Sequence, residues 1–562
     1  MLGLLVFGCS VVLLAQVQGE TESRVVQLAQ GYVRGYKERD FNVFAFYDIP
    51  YATVSKRYQV RNAPTGPPEW RGTFEAVRRR VLCPQLPLYP TQNTIMMEDC
   101  LVTNVIVPNT EKRNLPVLIT VHGGAFQQGA GADEMFRTLV QEKNIISVNF
   151  NYRIGVLGFL CLGTKDAPGN AGLKDQLALL RWVQQNIASF GGNPDDITIN
   201  GCSAGSASVD ILTLSNTTRG LFKRAISDSG AHLGVFAVQI NPIENAKISA
   251  RMLNFDNVNN LTALEEFYKT ASIDLLTSRS FANNKDSGVL FSPCVERDLG
   301  EEAIITEAPY NIIKRSDYVR YPTIYGFTDM EGTIRLSMFD SWRNAMNEKF
   351  SDFLPGDLKF ESEEQKDRVA KGIKEFYFGD KPITEDTILE YVDYYTDVVF
   401  AYPMLRSVKT HAEAGNFTFY LHEYSFVDRN SWPVPFTNVT GANHCDQAMA
   451  VMDEDESNIT DEYRNMKRIM RELWGNFITK GVPVVENTKL PLWPPTNGNR
   501  TPHLSLGPTV ELKGTLLEAR ARFWDDIYEK YYHGPIPPTT DSASTLQSIC
   551  LIYLLIMCYL LL

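Results

Sequence analysis

The stretch Ile197-Thr-Ile-Asn-Gly-Cys-Ser-Ala-Gly-Ser206 is a short β-branched run that ends in an elbow of small residues with one serine at its apex. Branched apolar residues in a compact run read as a buried strand. Gly201, Ala204 and Gly205 stand close around Ser203. Glycine suits any tight turn. In Gly-x-Ser-x-Gly, however, the serine sits on a strained strand-to-helix turn, and a side chain at either glycine would crowd the reacting atom. On this stretch alone a turn and a nucleophile both remain open, and the surrounding chain decides between them.

Two further apolar runs rich in branched residues, Leu115–Val121 and 145–150, precede the elbow. With 197–199 they read as buried strands of a mostly parallel sheet. Between them, in 170–189, Leu173, Leu177, Leu180, Val183 and Ile187 recur at helical spacing, as in a crossover helix. Strand, helix, strand, elbow and helix predict an α/β class with a mostly parallel central sheet and helices on both faces. Residues 241–400 read as mostly helical and charged, hence as large helical insertions around one face. Residues 511–532 read as one closing amphipathic helix, so that 20–532 form one domain.

A serine hydroxyl is a poor nucleophile without a base, and the base needs an orienting acid. On this kind of sheet the order along the chain is serine, then acid, then histidine. Of seven histidines, His122 precedes the serine and His232 follows it very closely, while His411, His422, His444, His503 and His533 lie further on, the last in the stalk. His411 and His422 flank a strand expected at 417–421 and read as surface or packing residues. His444 lies in Thr440-Gly-Ala-Asn-His-Cys-Asp446, a loop able to present an imidazole to a cleft. Local sequence rates it only somewhat above His422. For the acid, Ile324-Tyr-Gly-Phe-Thr-Asp-Met-Glu-Gly332 offers both Asp329 and Glu331, and local chemistry does not choose. His122-Gly-Gly-Ala-Phe126 follows the first strand, where consecutive small residues let backbone N–H groups converge on a developing oxyanion.

The chain has 562 residues, 44% of them hydrophobic, ample for a large core, and a net charge of −12. That balance argues against nucleic acid and anionic membrane surfaces as partners. Residues 1–19 are apolar with small residues near position 19 and read as a secretory signal. The last 14 residues, 549–562, are uncharged and apolar, short of the ~20 a spanning helix needs. Thr540-Asp-Ser-Ala-Ser544 ahead of them suits attachment of a glycolipid anchor, at Asp541, with loss of the tail; a short tail-anchor helix is the alternative. Residues 533–548 then form a proline-stiffened stalk and attachment region. Asn216, Asn260, Asn416, Asn438, Asn458 and Asn499 are glycosylation acceptors in an exported chain. Cys83 and Cys100 are the natural disulfide pair, closing a short loop. Cys161, Cys202, Cys294 and Cys445 have no evident partners and read as buried small apolar residues rather than metal ligands.

Longer motifs carry a resemblance. Glu98-Asp-Cys-Leu101, Asn151-Tyr-Arg-Ile-Gly-Val-Leu-Gly-Phe159, Gly169-Asn-Ala-Gly-Leu-Lys-Asp-Gln176, Phe190-Gly-Gly-Asn-Pro194 and Gly201-Cys-Ser-Ala-Gly205 occur in order. On these the chain resembles the type-B carboxylesterase/cholinesterase family, most of all insect carboxylesterases. The resemblance implies the α/β-hydrolase fold, hydrolysis of a small-molecule carboxylic ester, and no metal or organic cofactor. It places the catalytic serine on Ser203, the acid on Glu331 rather than Asp329, the histidine on His444, the oxyanion donors on Gly124, Ala125 and Ala204, and the first disulfide on Cys83–Cys100. The family also includes adhesion proteins that lack a triad member, but all three positions are present here; a slow-turnover scavenger of toxic esters is the other alternative. Three departures from the family pattern stand out. Cys202 occupies the position where acetylcholinesterases carry Glu, and the 83–100 loop holds Tyr89 but no Trp, which argues against a choline ester, since cation–π binding needs such a face. The family's second disulfide is also missing, because no Cys lies between Cys202 and Cys294. Oligomeric state is not legible.

Overall fold

The structure is a computed structural model that describes residues 22–539 apart from 55–66, 87–93, 280–282, 416, 455, 457 and 487. The expected leader at 1–19, Tyr89, Asn416, Asp541 and the apolar tail lie outside the described residues.

Seven strands lie side by side and parallel at the centre of one large sheet. In spatial order they are Ile146–Phe150, Leu115–Val121, Gly192–Cys202, Arg224–Asp228, Thr323–Thr328, Phe419–Tyr424 and His503–Leu506. Their sequences explain the arrangement: a parallel strand is covered on both faces, so it carries apolar residues in succession rather than in alternation. Leu115–Val121 is buried at every position except Pro116. Antiparallel strands close one side, from Val102–Pro108 out to Ser23–Leu28, and Val510–Lys513 closes the other. Helix Ala171–Asn186 crosses over as its spacing predicts, burying Leu173, Leu177, Leu180 and Val183.

The long excursion after Thr323–Thr328 is largely helical, including Glu363–Phe378 and Tyr402–Glu413; the one before it carries Pro242–Met252, Leu261–Thr270 and two shorter helices but, among the described residues, no helix between Leu276 and Pro309. They agree with the expected insertions. The closing helix does not begin at 511. Val510–Lys513 is a strand paired antiparallel with His503–Leu506, Leu504 opposite Leu512, and the helix spans Glu518–Tyr531. Val-Glu-Leu-Lys alternates in polarity, and a neighbouring strand edge resolves that alternation toward β. Beyond the helix, the His533 N–H donates to Asp357 O at 2.8 Å, and Pro535 and Pro538 are buried against the domain. Among the described residues no helix is long and apolar enough to cross a membrane.

Cys83 and Cys100 are bonded, in line with expectation. The chain-entropy account assigns such a loop about 3 kcal/mol. The expectation that Cys161, Cys202, Cys294 and Cys445 are unpaired is overturned: Cys161 bonds to Cys294, and Cys202 bonds to Cys445. The partners are 133 and 243 residues apart, so only the folded sheet brings them together.

Candidate active site

The site collects at the carboxyl ends of the parallel strands, where loops from neighbouring strands meet. Strand Gly192–Cys202 stops one residue before Ser203, and helix Ala204–Leu214 begins one residue after it. Ser203 takes φ 60°, ψ −125°, a conformation costing on the order of 1–3 kcal/mol that persists only when its surroundings impose it. One such restraint is its N–H, which donates to Asp228 O at 2.9 Å on the adjoining strand. Gly205 supplies another. A methyl group there would overlap Val121 O, so the helix can sit on the strand beneath it only without one. At Gly201 a methyl would overlap the Gly205 carbonyl carbon. The glycines therefore hold the elbow tight; the crowding they avoid is with the backbone, not with the serine hydroxyl as sequence reasoning supposed.

The glycine loop after Leu115–Val121 lies against this elbow, since a methyl group at Gly123 would stand 2.8 Å from Cys202 O and 3.3 Å from Ser203 Cβ. Gly124, Ala125 and Phe126 take φ of 108°, 54° and 59°. Three successive left-handed residues turn the chain so that the Gln127 and Gln128 N–H groups close back on Gly124 O at 2.9 and 3.0 Å. Among the described residues no acceptor meets the Gly124 or Ala125 N–H. The Ala204 N–H belongs to the first helical turn, whose donors have no partner within the helix. These are the three residues expected as oxyanion donors.

Glu331 is fully buried in the turn after Thr323–Thr328. Its Oε1 accepts from Ser229 Oγ at 2.5 Å and from the Thr328 N–H at 2.8 Å, and its Oε2 meets His444 Nδ1 at 2.5 Å. With Nδ1 so engaged, His444 Nε2 is buried and has no partner among the described residues. The Phe400 ring lies 4.3 Å from the imidazole centroid and covers one face. Asp329, the other candidate acid, points elsewhere: its Oδ1 accepts from the Ala442 N–H at 2.9 Å, two residues before His444. Burial pushes the Asp329 carboxyl up to about 7.

His422, His411 and His232 are each engaged outside this arrangement. His422 is not at a strand flank but inside Phe419–Tyr424, buried, its ring filling the space above Gly326, with Nε2 3.7 Å from Asp228 Oδ1. Burial holds it down to about 3. His411 is buried on helix Tyr402–Glu413 and pairs with Tyr318 OH at 2.5 Å. His232 pairs with Asp210. Sequence reasoning missed Ser229, which holds the acid; Gln447, whose Nε2 donates to Ser229 Oγ at 2.7 Å; and Glu134, which accepts from the Gly123 N–H at 3.3 Å. Asp228-Ser-Gly230, small residues directly after a buried strand, was the available signal for Ser229. Asn216, Asn260, Asn438, Asn458 and Asn499 are all exposed.

A parallel sheet with helices on both faces and a serine elbow at its carboxyl edge defines an α/β hydrolase. The chain belongs to the carboxylesterase family, whose model matches residues 22–524. It is similar to Esterase FE4 of Myzus persicae, at 29% identity over 84% of this chain and 87% of that one. It is similar also to juvenile hormone esterase of Heliothis virescens, at 32% identity over 87% and 92%. The crystal structure of juvenile hormone esterase from Manduca sexta, with OTFP covalently attached, superposes with a TM-score of 0.79 at 27% identity, covering 90% of this chain and all of that one. The protein is thus a carboxylic ester hydrolase.

Glu134 generates a pH prediction. Burial chiefly, with Asp133 adding to it, raises its carboxyl from 4.5 to about 8, against the lowering effect of the Gly123 N–H. A carboxyl raised in the fold binds its proton more tightly there than in the unfolded chain, so its share of stability is present at low pH and lost as pH rises from 4.5 through 8. Glu134→Gln keeps an acceptor for Gly123 and does not titrate. Its Tm should fall less than that of the parent between pH 5 and pH 8, measured by thermal melts across that window.

Proposed function

We propose that the protein is an exported serine carboxylesterase that acts through an acyl-enzyme on Ser203. The observation that supports this most is the imidazole of His444, fixed at Nδ1 by the buried carboxylate of Glu331 and unpartnered at Nε2. Nδ1–H donated to Glu331 leaves Nε2 with the lone pair of a general base. Ser203 Oγ attacks the ester carbonyl carbon while His444 Nε2 takes its proton. The N–H groups of Gly124, Ala125 and Ala204 meet the oxyanion, each worth ~10²–10³ in rate. Collapse breaks the bond to the alcohol, which leaves with the proton from His444. Water then attacks the acyl carbon as His444 takes its proton, and collapse breaks the bond to Ser203 Oγ, which regains that proton as the acid departs. Glu331 stabilises the imidazolium at both stages.

Ser203→Ala should abolish ester hydrolysis and covalent labelling by an organophosphate, with folding retained. Glu331→Gln should reduce kcat by ~10³ or more, whereas Asp329→Asn, which keeps an acceptor for Ala442, should cost less than tenfold. Equal losses at 329 and 331 would remove Glu331 from its role. Fast labelling of Ser203 with no turnover would favour a scavenger.

An uncharged ester is the favoured substrate class. Cys202 is bonded to Cys445, so the position beside the nucleophile offers no anion to a cationic substrate. Acetylthiocholine should therefore be hydrolysed at least tenfold less efficiently, by kcat/KM, than an uncharged thioester of similar size; the reverse preference would defeat the assignment.

Export and a glycolipid anchor at Asp541 complete the proposal, with glycans on the six sequons. Its supports are the apolar leader, the uncharged tail, the small residues at 541–544 and three disulfides, which fit an oxidising compartment. A phosphatidylinositol-specific phospholipase should release active esterase from intact cells. Release by detergent alone would make the tail a membrane helix, and a freely secreted enzyme would exclude both anchors.

A further inference from the structure

We propose that the Cys202–Cys445 disulfide is a positioning element of the catalytic pair, locking the His444 loop to the Ser203 elbow so that turnover depends on it beyond its share of stability. The proposal rests on reading Ser203 as nucleophile and His444 as base. Cys202 immediately precedes the first and Cys445 immediately follows the second.

The histidine loop needs such a lock. Between Tyr424 and Asp446 the chain forms neither strand nor helix, and within it Trp432 is 93% exposed and Phe436 64% exposed. Its hydrogen bonds near His444 run toward the acid. Ala442 O accepts from the Met330 N–H at 3.2 Å, the Ala442 N–H donates to Asp329 at 2.9 Å, and Gln447 reaches Ser229 at 2.7 Å. These set the imidazole against Glu331. Among the described residues, no hydrogen bond ties this loop to strand Gly192–Cys202 or to the elbow; the disulfide makes that connection. Acid and base are thus registered by hydrogen bonds, base and nucleophile by sulfur.

The two ends of the bond differ in rigidity. Cys202 is buried and paired in register with Asp228 on the next strand, a fixed post. Cys445 is a half-buried residue with φ 71°, a backbone position that favours glycine or asparagine. A cysteine held there is unfavourable for the backbone, and its side chain is what the position gains. Proton transfer from Ser203 to His444 requires heavy atoms within ~2.6–3.2 Å, and a misplacement of about 1 Å can cost ~10² in rate. A loop pinned on the acid side alone leaves that distance free to vary.

The test separates positioning from stability. In Cys445→Gly the left-handed backbone becomes favourable while the bond is lost; Cys202→Ala/Cys445→Gly removes both sulfurs. Cys161→Ser/Cys294→Ser deletes the other long-range disulfide as a control. Expected are a 10- to 100-fold lower kcat for uncharged esters in both Cys445 variants, KM within about threefold, and organophosphate labelling of Ser203 slowed in the same proportion. The apparent pKa of kcat/KM should also move in them, because the imidazole's position relative to Ser203 changes, whereas the control loses Tm but keeps kcat and pH profile. In the unmutated protein, graded reduction by a dithiol, each disulfide taking up two electrons and two protons, followed by alkylation should show activity falling with labelling of Cys202 and Cys445 and not with that of Cys161 and Cys294. That arm decides the matter if the variants do not fold. Full kcat in a folded variant, or activity that ignores the state of Cys202 and Cys445, overturns the proposal. Hydrolysis that survives Ser203→Ala instead overturns the underlying reading of the nucleophile.

Discussion

A fully buried carboxylate is the constraint around which the site is built. Taking Glu331 out of water is unfavourable unless its oxygens are met by donors. Three neighbours meet that demand: Ser229, the Thr328 N–H and His444. Each comes from the end of a different stretch of chain, so satisfying one anion fixes three loops at once. Ser229 is itself oriented by Gln447, which lies three residues after His444 and ties the histidine segment back to the acid a second time. The arrangement is cooperative. Removing Ser229 would leave a lone pair of the carboxylate unmet and would leave Gln447 Nε2 only its longer bond to Gly326 O, at 3.4 Å.

The parallel sheet makes this convergence possible. Cys202, Asp228, Gly326 and His422 stand opposite one another across four adjacent strands. The elbow, the Ser229 turn and the acid turn therefore leave the sheet at the same level and on the same edge. Nothing in that row needs to be flexible. The conformationally demanding residues, Ser203, Ala125 and Phe126, sit just past the ends of buried strands, where packing on both faces can impose positive φ that the residues would not choose.

How much of this was legible in the sequence follows from how local each feature is. Leu115–Val121 was read to its ends because a doubly covered strand is apolar throughout. Gly192–Cys202 was read only at its core, 197–199, since Asn193, Asp195 and Asp196 are polar, Pro194 lies among them, and the pairing with Leu115–Val121 slips between Gly192 and Ile197. Residues 511–513 of the strand Val510–Lys513 were mistaken for helix because four alternating residues carry little information until a neighbouring edge is present. The choice of Glu331 over Asp329 came from family resemblance alone. Geometry adds a physical reason: the two are close in sequence, but one faces His444 and the other the Ala442 N–H. His422 and His444 were nearly equal as sequence candidates, yet one is enclosed within a strand against Gly326. Local chemistry does not report that difference.

The cysteines show most clearly where sequence reasoning runs out. A pair 17 residues apart is visible as a short loop. One 243 residues apart has no local signature, because its probability depends on where the whole sheet returns the chain. The two cysteines beside Ser203 and His444 were nevertheless adjacent in sequence to the residues already suspected of chemistry. Two residues that must meet in space also bring their neighbours together, so a cysteine next to each is a pairing constraint. Under that constraint Cys202 and Cys445 were the one pair of the four whose proximity followed from the catalytic reading itself, and the remaining two, Cys161 and Cys294, followed by exclusion. The site, once hypothesised, carried information about the fold that the search for local patterns could not supply.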